Sequence, residues 1–311
     1  MAWNYIGVDL SRDVLDICDP ARGVARVANE PVAIARWLAG LGGDDLLVYE
    51  ATSRCDRRLR RALRTATAAG ACVNPLHAWH FARSLNLPKT DRVDAAMLAR
   101  LGAERRLEPG TILAAEREEL RALVQRRDQL KRMETQEKNR LHDDPPPLVA
   151  DDIRAVLADL ARRVAAFDKA IAAHVARHPG LAEANGLLRS IPGVGPVTAA
   201  VLLADMPELG RADRREIASL GGLAPRARES GSYRGRRFIG AGRRHVRRAL
   251  YMAALSILRR PGFLADFVAR QKAAGKPGKI VQIAVARRLL TIANAILRTG
   301  KPFGAETRQT A

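Results

Sequence analysis

Four carboxylates stand where a folded backbone could bring them together. Asp9 closes the apolar run Tyr5–Val8, and Glu50 closes the run Leu46–Tyr49. Asp91 and Asp94 lie in Lys89-Thr90-Asp91-Arg92-Val93-Asp94-Ala95, at the start of a helical run over 92–103. Their i, i+3 spacing puts them on one side of a helix. Strand-end acids and a helical pair can converge on two divalent ions about 3.5–4 Å apart, which activate the attacking oxygen and stabilise the leaving oxygen of a phosphodiester. Carboxylate and water ligands suit Mg²⁺ rather than zinc. Taken singly, each acid could be a helix cap or a solvated charge, Asp94 above all. The order strand, strand, helical pair is what argues for a metal site.

A second chemical centre lies far along the chain. Ser230 precedes Gly231 in a segment that also carries Arg226, Arg228, Arg234, Arg236 and Arg237. Cations and loop N–H groups around a hydroxyl suit a nucleophile that attacks phosphate, because they stabilise charge growing on the phosphorus oxygens. On these residues alone, Ser230 could instead only bind phosphate, and Ser232 could be the acting hydroxyl. Upstream, Ile191-Pro-Gly-Val-Gly-Pro196 joins two helical stretches in a helix-hairpin-helix pattern. Gly193 and Gly195 would let backbone approach a DNA phosphate at the following helix N-terminus. The plainer use is a tight interhelical turn made for packing. Arg243, Arg244 and Arg247 open an Arg-rich helix over 242–260 and complete the candidate DNA-binding set.

The elements that must position these groups follow from periodicity. Tyr5–Val8 and 14–18 read as a strand hairpin, 31–41 as a helix opening at Pro31, and Leu46–Tyr49 as a buried strand. A helix over 57–69 stopped by Gly70 and a short strand at 71–73 follow. Alternation of this kind means an α/β sheet domain. Residues 111–142 and 149–177 have helical spacing around Asp143-Asp-Pro-Pro-Pro147 and read as an antiparallel helical hairpin. Further helices are expected over 242–260 and 279–299. His77 and His80 flank Trp79 in what reads as a loop. His174 and His178, spaced i, i+4 with no third ligand, read as helix-surface histidines. Arg57, Arg58, Arg60, Arg61 and Arg64 form a helix face that is either solvated or RNA-binding.

Charge distribution points to the partner. The 311 residues carry a formal net charge of +20. Residues 1–110 hold 16 Lys+Arg against 13 Asp+Glu, and residues 111–220 hold 17 of each. Residues 221–311 hold 20 against 3, so nearly all the excess lies at the C-terminal end. Such asymmetry fits a polyanion, nucleic acid first. Only 4% of residues are aromatic, which argues against extensive base-stacking platforms. Three cysteines with no CxxC pair argue against a disulfide scaffold or zinc finger and fit a reducing cytosol. The longest apolar runs, such as 197–204, are far short of a bilayer span, and the first residues lack a signal-peptide pattern. A cytoplasmic protein without membrane partners is the expectation.

Gly-Val-Asp-Leu-Ser near the start, Tyr-Glu-Ala-Thr, Lys-Thr-Asp-Arg-Val-Asp-Ala, Ile-Pro-Gly-Val-Gly-Pro and Gly-Leu-Ala-Pro…Glu-Ser-Gly occur in that order. Together they resemble the DEDD transposases of the insertion-sequence one-ten family, which includes the Piv DNA invertases, over roughly residues 4–303. One position departs: Ser53 follows Glu50-Ala51-Thr52 where the family usually has Gly. The resemblance implies a RuvC-like (RNase H-like) domain over 1–110, a coiled-coil hairpin over 111–180 and a mainly helical transposase domain over 181–311. It implies that Asp9, Glu50, Asp91 and Asp94 bind Mg²⁺ and that Ser230 links covalently to DNA. It also implies a structured bridge RNA as guide and action as a homo-oligomer. The alternative is a RuvC-like, structure-selective nuclease that uses water as nucleophile and resolves junctions.

Overall fold

The computed structural model describes residues 3–50, 55–85, 91–110, 112–226, 229–230, 233–235, 238–260 and 262–304, without the side chains of 91–92, 226, 229–230 and 233–234. The chain forms two compact units, Met1–Ala115 and Glu116–Ala311. A mixed sheet with many helices makes it an α/β plus α protein.

Unit one is built on a five-stranded sheet in the order β3-β2-β1-β4-β5. The strands are β1 (Asn4–Leu10), β2 (Val14–Asp19), β3 (Gly23–Ala28), β4 (Asp45–Glu50) and β5 (Ala69–Val73). β1, β2 and β3 form an antiparallel meander, while β4 and β5 run parallel to β1. One face is covered by α1 (Pro31–Leu38) and α2 (Asp56–Ala66), where Ile6, Val8, Leu15 and Leu47 bury against Ile34, Leu59 and Leu63. The other carries α3 (Pro75–Ser84) and α4 (Asp91–Arg105), where Val48 and Val73 bury against Phe81, Met97 and Leu98.

Two glycines set how closely α4 approaches. A Cβ on Gly7 would lie 1.8 Å from the Ala95 carbonyl oxygen and 2.6 Å from the Ala99 nitrogen. A Cβ on Gly102 would lie 2.7 Å from both Tyr5 Cδ1 and Val48 Cγ2. Backbone therefore packs directly on backbone where α4 crosses β1. At the start of β4, Asn4 Nδ2 donates to Asp19 (3.1 Å) and Asp45 (2.8 Å), and Arg22 bridges the same two acids. Burial alone would raise both carboxyls. The hydrogen bonds from Arg22 and Asn4 outweigh it and hold them below the usual carboxylate range.

Four local expectations are corrected in this unit. The hairpin gains a third strand, β3. The α2 helix ends at Ala66 rather than 69, capped by Thr67 in the left-handed region (φ 51°). Gly70 is a strand residue, where a Cβ would sit 2.9 Å from Leu63 Cδ1. His77, Trp79 and His80 lie on α3, not in a loop. Pro75 opens that helix and Asn74 caps it, its side chain accepting the Leu76 N–H at 2.9 Å.

Unit two opens with α5 (Ala115–His142) and α6 (Pro147–Arg177), the expected helical hairpin. At its root, Leu120, Val124, Ile171 and Val175 join the main core. Arg121 pairs with Asp205 (2.9 Å), and Asp128 with Arg248 (2.9 Å). Further out, Leu130, Leu160 and Val164 form a separate small cluster. His174 is fully buried at the root, not on the surface as expected. Its Nε2 lies 2.7 Å from the Glu116 carbonyl oxygen, to which it donates.

The helices α7 (Pro179–Arg189), α8 (Pro196–Asp205), α9 (Arg214–Leu220), α10 (Arg244–Arg259), α11 (Ala265–Ala273) and α12 (Gly278–Thr299) surround one core. By length and composition α12 could cross a membrane, but Val285, Leu289, Leu290 and Ala293 are wholly buried inside this core.

Candidate active site

Asp9 and Glu50 reach one end of the sheet by register. β1 and β4 are parallel with Val8 opposite Tyr49, so Asp9 and Glu50 follow as neighbours where both strands end. Side chains alternate along a strand, so Asp9 shares the α4 face with Gly7, and Glu50 shares it with Val48. Both acids are half-buried, as is Asp94 in the first turn of α4. Asp9, Glu50 and Asp94 line one open cleft of about 660 Å³, walled on one side by Leu76, Trp79 and Arg83 of α3. Asp91 is the first residue of α4, and its side chain lies outside the described set. One Asp9 carboxylate oxygen accepts the Leu10 N–H at 3.0 Å.

The donor set is all oxygen and suits a hard divalent cation. Among the described residues no three His, Cys, Asp or Glu groups form a cluster tight enough to hold a metal. The three carboxylates share a cleft without closing a cage. Cysteine chemistry is disfavoured at Cys18, where burial and the neighbouring Asp19 raise the thiol above its ordinary range.

The serine segment is held at its base. Gly222 (φ +66°) and Gly242 (φ +60°) meet so closely that a Cβ on Gly242 would fall 2.4 Å from the Gly222 nitrogen. The Arg243 N–H donates to the Leu220 carbonyl at 2.8 Å, and Arg247 donates to the carbonyls of Ala241 (2.8 Å) and Gly222 (3.3 Å). Above this pinch, β6 (Pro225–Arg226) pairs with β9 (Phe238–Ile239), and β7 (Glu229–Ser230) pairs with β8 (Tyr233–Arg234). Ser230 is opposite Tyr233 in the innermost pair. Ser232, Arg228, Arg236 and Arg237 lie outside the described residues, as do the side chains of Ser230, Arg226 and Arg234.

The remaining candidate DNA contacts divide. Arg244 is exposed at the start of α10. Arg243 forms an ion pair with Glu208, and Arg247 serves the loop carbonyls just described. Burial would raise the Glu208 carboxyl, but Arg243 hydrogen bonds hold it below its usual range. Gly193 (φ +87°) packs against α10, where a Cβ would lie 2.7 Å from Ile257 Cγ1, whereas Gly195 opens on free space. The α3 wall leaves no signature in the spacing, because Leu76 and Trp79 lie off the buried face of the helix.

Acids line a cleft in the unit built on the mixed sheet, and the other unit carries most of the positive charge, an arrangement compatible with an enzyme acting on DNA strands. Residues 22–143 match the DEDD transposase model of the IS110 type, and residues 185–269 match the transposase IS116/IS110/IS902 family. The first match contains Glu50, Asp91 and Asp94, and the second contains Ser230. The pilin gene-inverting proteins of Moraxella bovis and Moraxella lacunata are each 30% identical over 97% of this chain and 98% of their own length. The insertion element IS110 uncharacterized 43.6 kDa protein of Streptomyces coelicolor is 32% identical over 47% of this chain and 37% of its own. The chain belongs to the IS110 family of DEDD transposases and DNA invertases, and is a DNA recombinase. DNA is its partner, and transposases of this type generally use divalent metal ions.

Proposed function

We propose that this recombinase cuts and joins DNA strands with Asp9, Glu50, Asp91 and Asp94 as a Mg²⁺-binding set and Ser230 as nucleophile. The cleft shared by Asp9, Glu50 and Asp94 carries the reading. Two Mg²⁺ ions, when bound, would supply Lewis-acid stabilisation of the attacking and leaving oxygens. Asp9, Glu50, Asp91 and Asp94 would hold those ions. Ser230 Oγ forms a new bond to phosphorus as one sugar oxygen departs as a hydroxyl, leaving a phosphoserine link. Gly195, Arg226, Arg228, Arg234, Arg236, Arg237 and Arg244 hold DNA phosphates. Gly193, Arg243 and Arg247 shape the surfaces that present them.

The strand order β3-β2-β1-β4-β5 supports a RuvC-like (RNase H-like) first domain, and the α7–α8 turn supports a helix-hairpin-helix. We keep three functional parts: 1–110 for metal chemistry, 111–180 for self-association and 181–311 for DNA and the serine. A structured guide RNA, a homo-oligomer and a cytoplasmic setting complete the proposal.

The test is recombination in Mg²⁺, together with trapping of a covalent protein–DNA adduct. Asp9→Asn is expected to lower strand exchange by about 100-fold or more, equivalent to ~3 kcal/mol of lost transition-state stabilisation, with DNA affinity nearly unchanged. Ser230→Ala removes the adduct and Ser232→Ala keeps it. Full recombination by Asp9→Asn refutes the acid assignment. Strand cutting without an adduct in the parent protein favours the water-using nuclease.

A further inference from the structure

Helix α3 carries a feature that the acids do not explain. Its core face is Ala78 and Phe81, both buried. Trp79 points elsewhere and is 50% exposed, although an indole is among the costliest side chains to leave in water. It is not scattered surface. Leu76, Trp79 and Arg83 are spaced 3–4 residues apart, so they align on one stripe of the helix. That stripe forms the wall of the same cleft that Asp9, Glu50 and Asp94 line. The Arg83 guanidinium carbon sits 4.9 Å from the Trp79 ring centroid. Stacked there, the cation stiffens the indole and sets a positive charge beside it.

We propose that Trp79 is a stacking platform for one unpaired nucleobase of the DNA strand whose phosphate lies at the carboxylates, with Arg83 holding the neighbouring phosphate. The inference rests on the reading of the cleft as the strand-cutting site. Carboxylates offer a nucleobase no stacking face, so a base unpaired at the cut needs a partner that does not come from them. An aromatic face supplies it for any base, since every base has a π-face. Arg83 adds the complementary charge. The cost of unstacking a base at the cut is offset by restacking it on the indole.

The test uses the full chain in EDTA, so that binding is read without cleavage. The probes are single-stranded DNA and RNA of one sequence, each with 2-aminopurine at successive positions. Parent protein is expected to change the fluorescence of 2-aminopurine in DNA. Trp79→Ala abolishes that change and weakens single-stranded DNA affinity by about 5- to 150-fold. Trp79→Phe keeps the fluorescence response and stays within about threefold of the parent, because a smaller ring still stacks. Unchanged binding and fluorescence in Trp79→Ala overturn the proposal, as does a Trp79→Phe protein as weak as Trp79→Ala. A response confined to the RNA probe overturns the assignment to DNA. If Asp9→Asn recombines normally while Trp79→Ala still loses the signal, the acid reading fails and the platform stands.

Discussion

At the residue scale, the smallest side chain in β1 decides where the acids sit. Gly7 is two positions before Asp9 on the same face, and its missing Cβ is what admits the Ala95–Ala99 backbone. Gly7→Ala is expected to cost about 1–3 kcal/mol by overpacking. It also lifts α4 and Asp94 away from Asp9, so recombination falls further than stability does. Thermal denaturation beside strand exchange checks this, with Gly43→Ala as control, since no atom lies within 4 Å of a Cβ there. An unchanged melting temperature for Gly7→Ala would contradict the packing argument. Asp9 and Glu50 could be read from sequence because each follows an apolar run, and a strand buried on both faces writes such runs directly. Trp79 could not be read, because an exposed tryptophan has no periodic signature. The internal ion pair of Arg243 and the carbonyl contacts of Arg247 were equally hidden in a run of arginines whose spacing looks alike.

At the element scale, the serine segment is positioned by its two ends. Gly222 and Gly242 both need left-handed backbone and both lack room for a Cβ. Gly242→Ala is expected to spread the ends and reduce adduct formation at least about tenfold, on the scale of a misplaced reacting group. Gly262→Ala is the matched control: φ is +47°, but open space surrounds the new Cβ. It should cost only the ~1–2 kcal/mol of a left-handed residue and leave the adduct intact. Equal adduct yields from both variants would reject the pinch as the positioning device. Long elements were readable, notably the α5–α6 hairpin, where periodicity persists over many turns. β3 was missed because its residues are almost all exposed, so no buried face imprinted an alternation. The seven-residue α9 was missed because two turns give too short a pattern, although Asp213 caps it with bonds to the N–H groups of Arg215 and Glu216.

At the scale of the whole molecule, the last 91 residues carry the charge and should dominate DNA affinity. For the full chain on duplex DNA, log affinity should fall linearly with log salt, by about 0.9 for each phosphate contacted. Arg244→Ala should reduce that slope by about one contact, whereas Arg243→Ala should act on stability through Glu208. Affinity independent of salt would contradict a phosphate-dominated interface. The close seat of α4 on β1 also has a consequence in the order of synthesis. Glu50 leaves the ribosome well before α4, which ends at Arg105. At about 5–20 residues per second, the sheet waits several seconds with Tyr5, Gly7 and Val48 uncovered. Helices α1 and α2 can already shelter the opposite face during that interval. A nascent or truncated chain lacking α4 therefore holds two of the cleft's acids and a bare apolar surface, and under the proposed acid assignment cutting competence is expected only once the helix that hides that surface brings Asp94 with it.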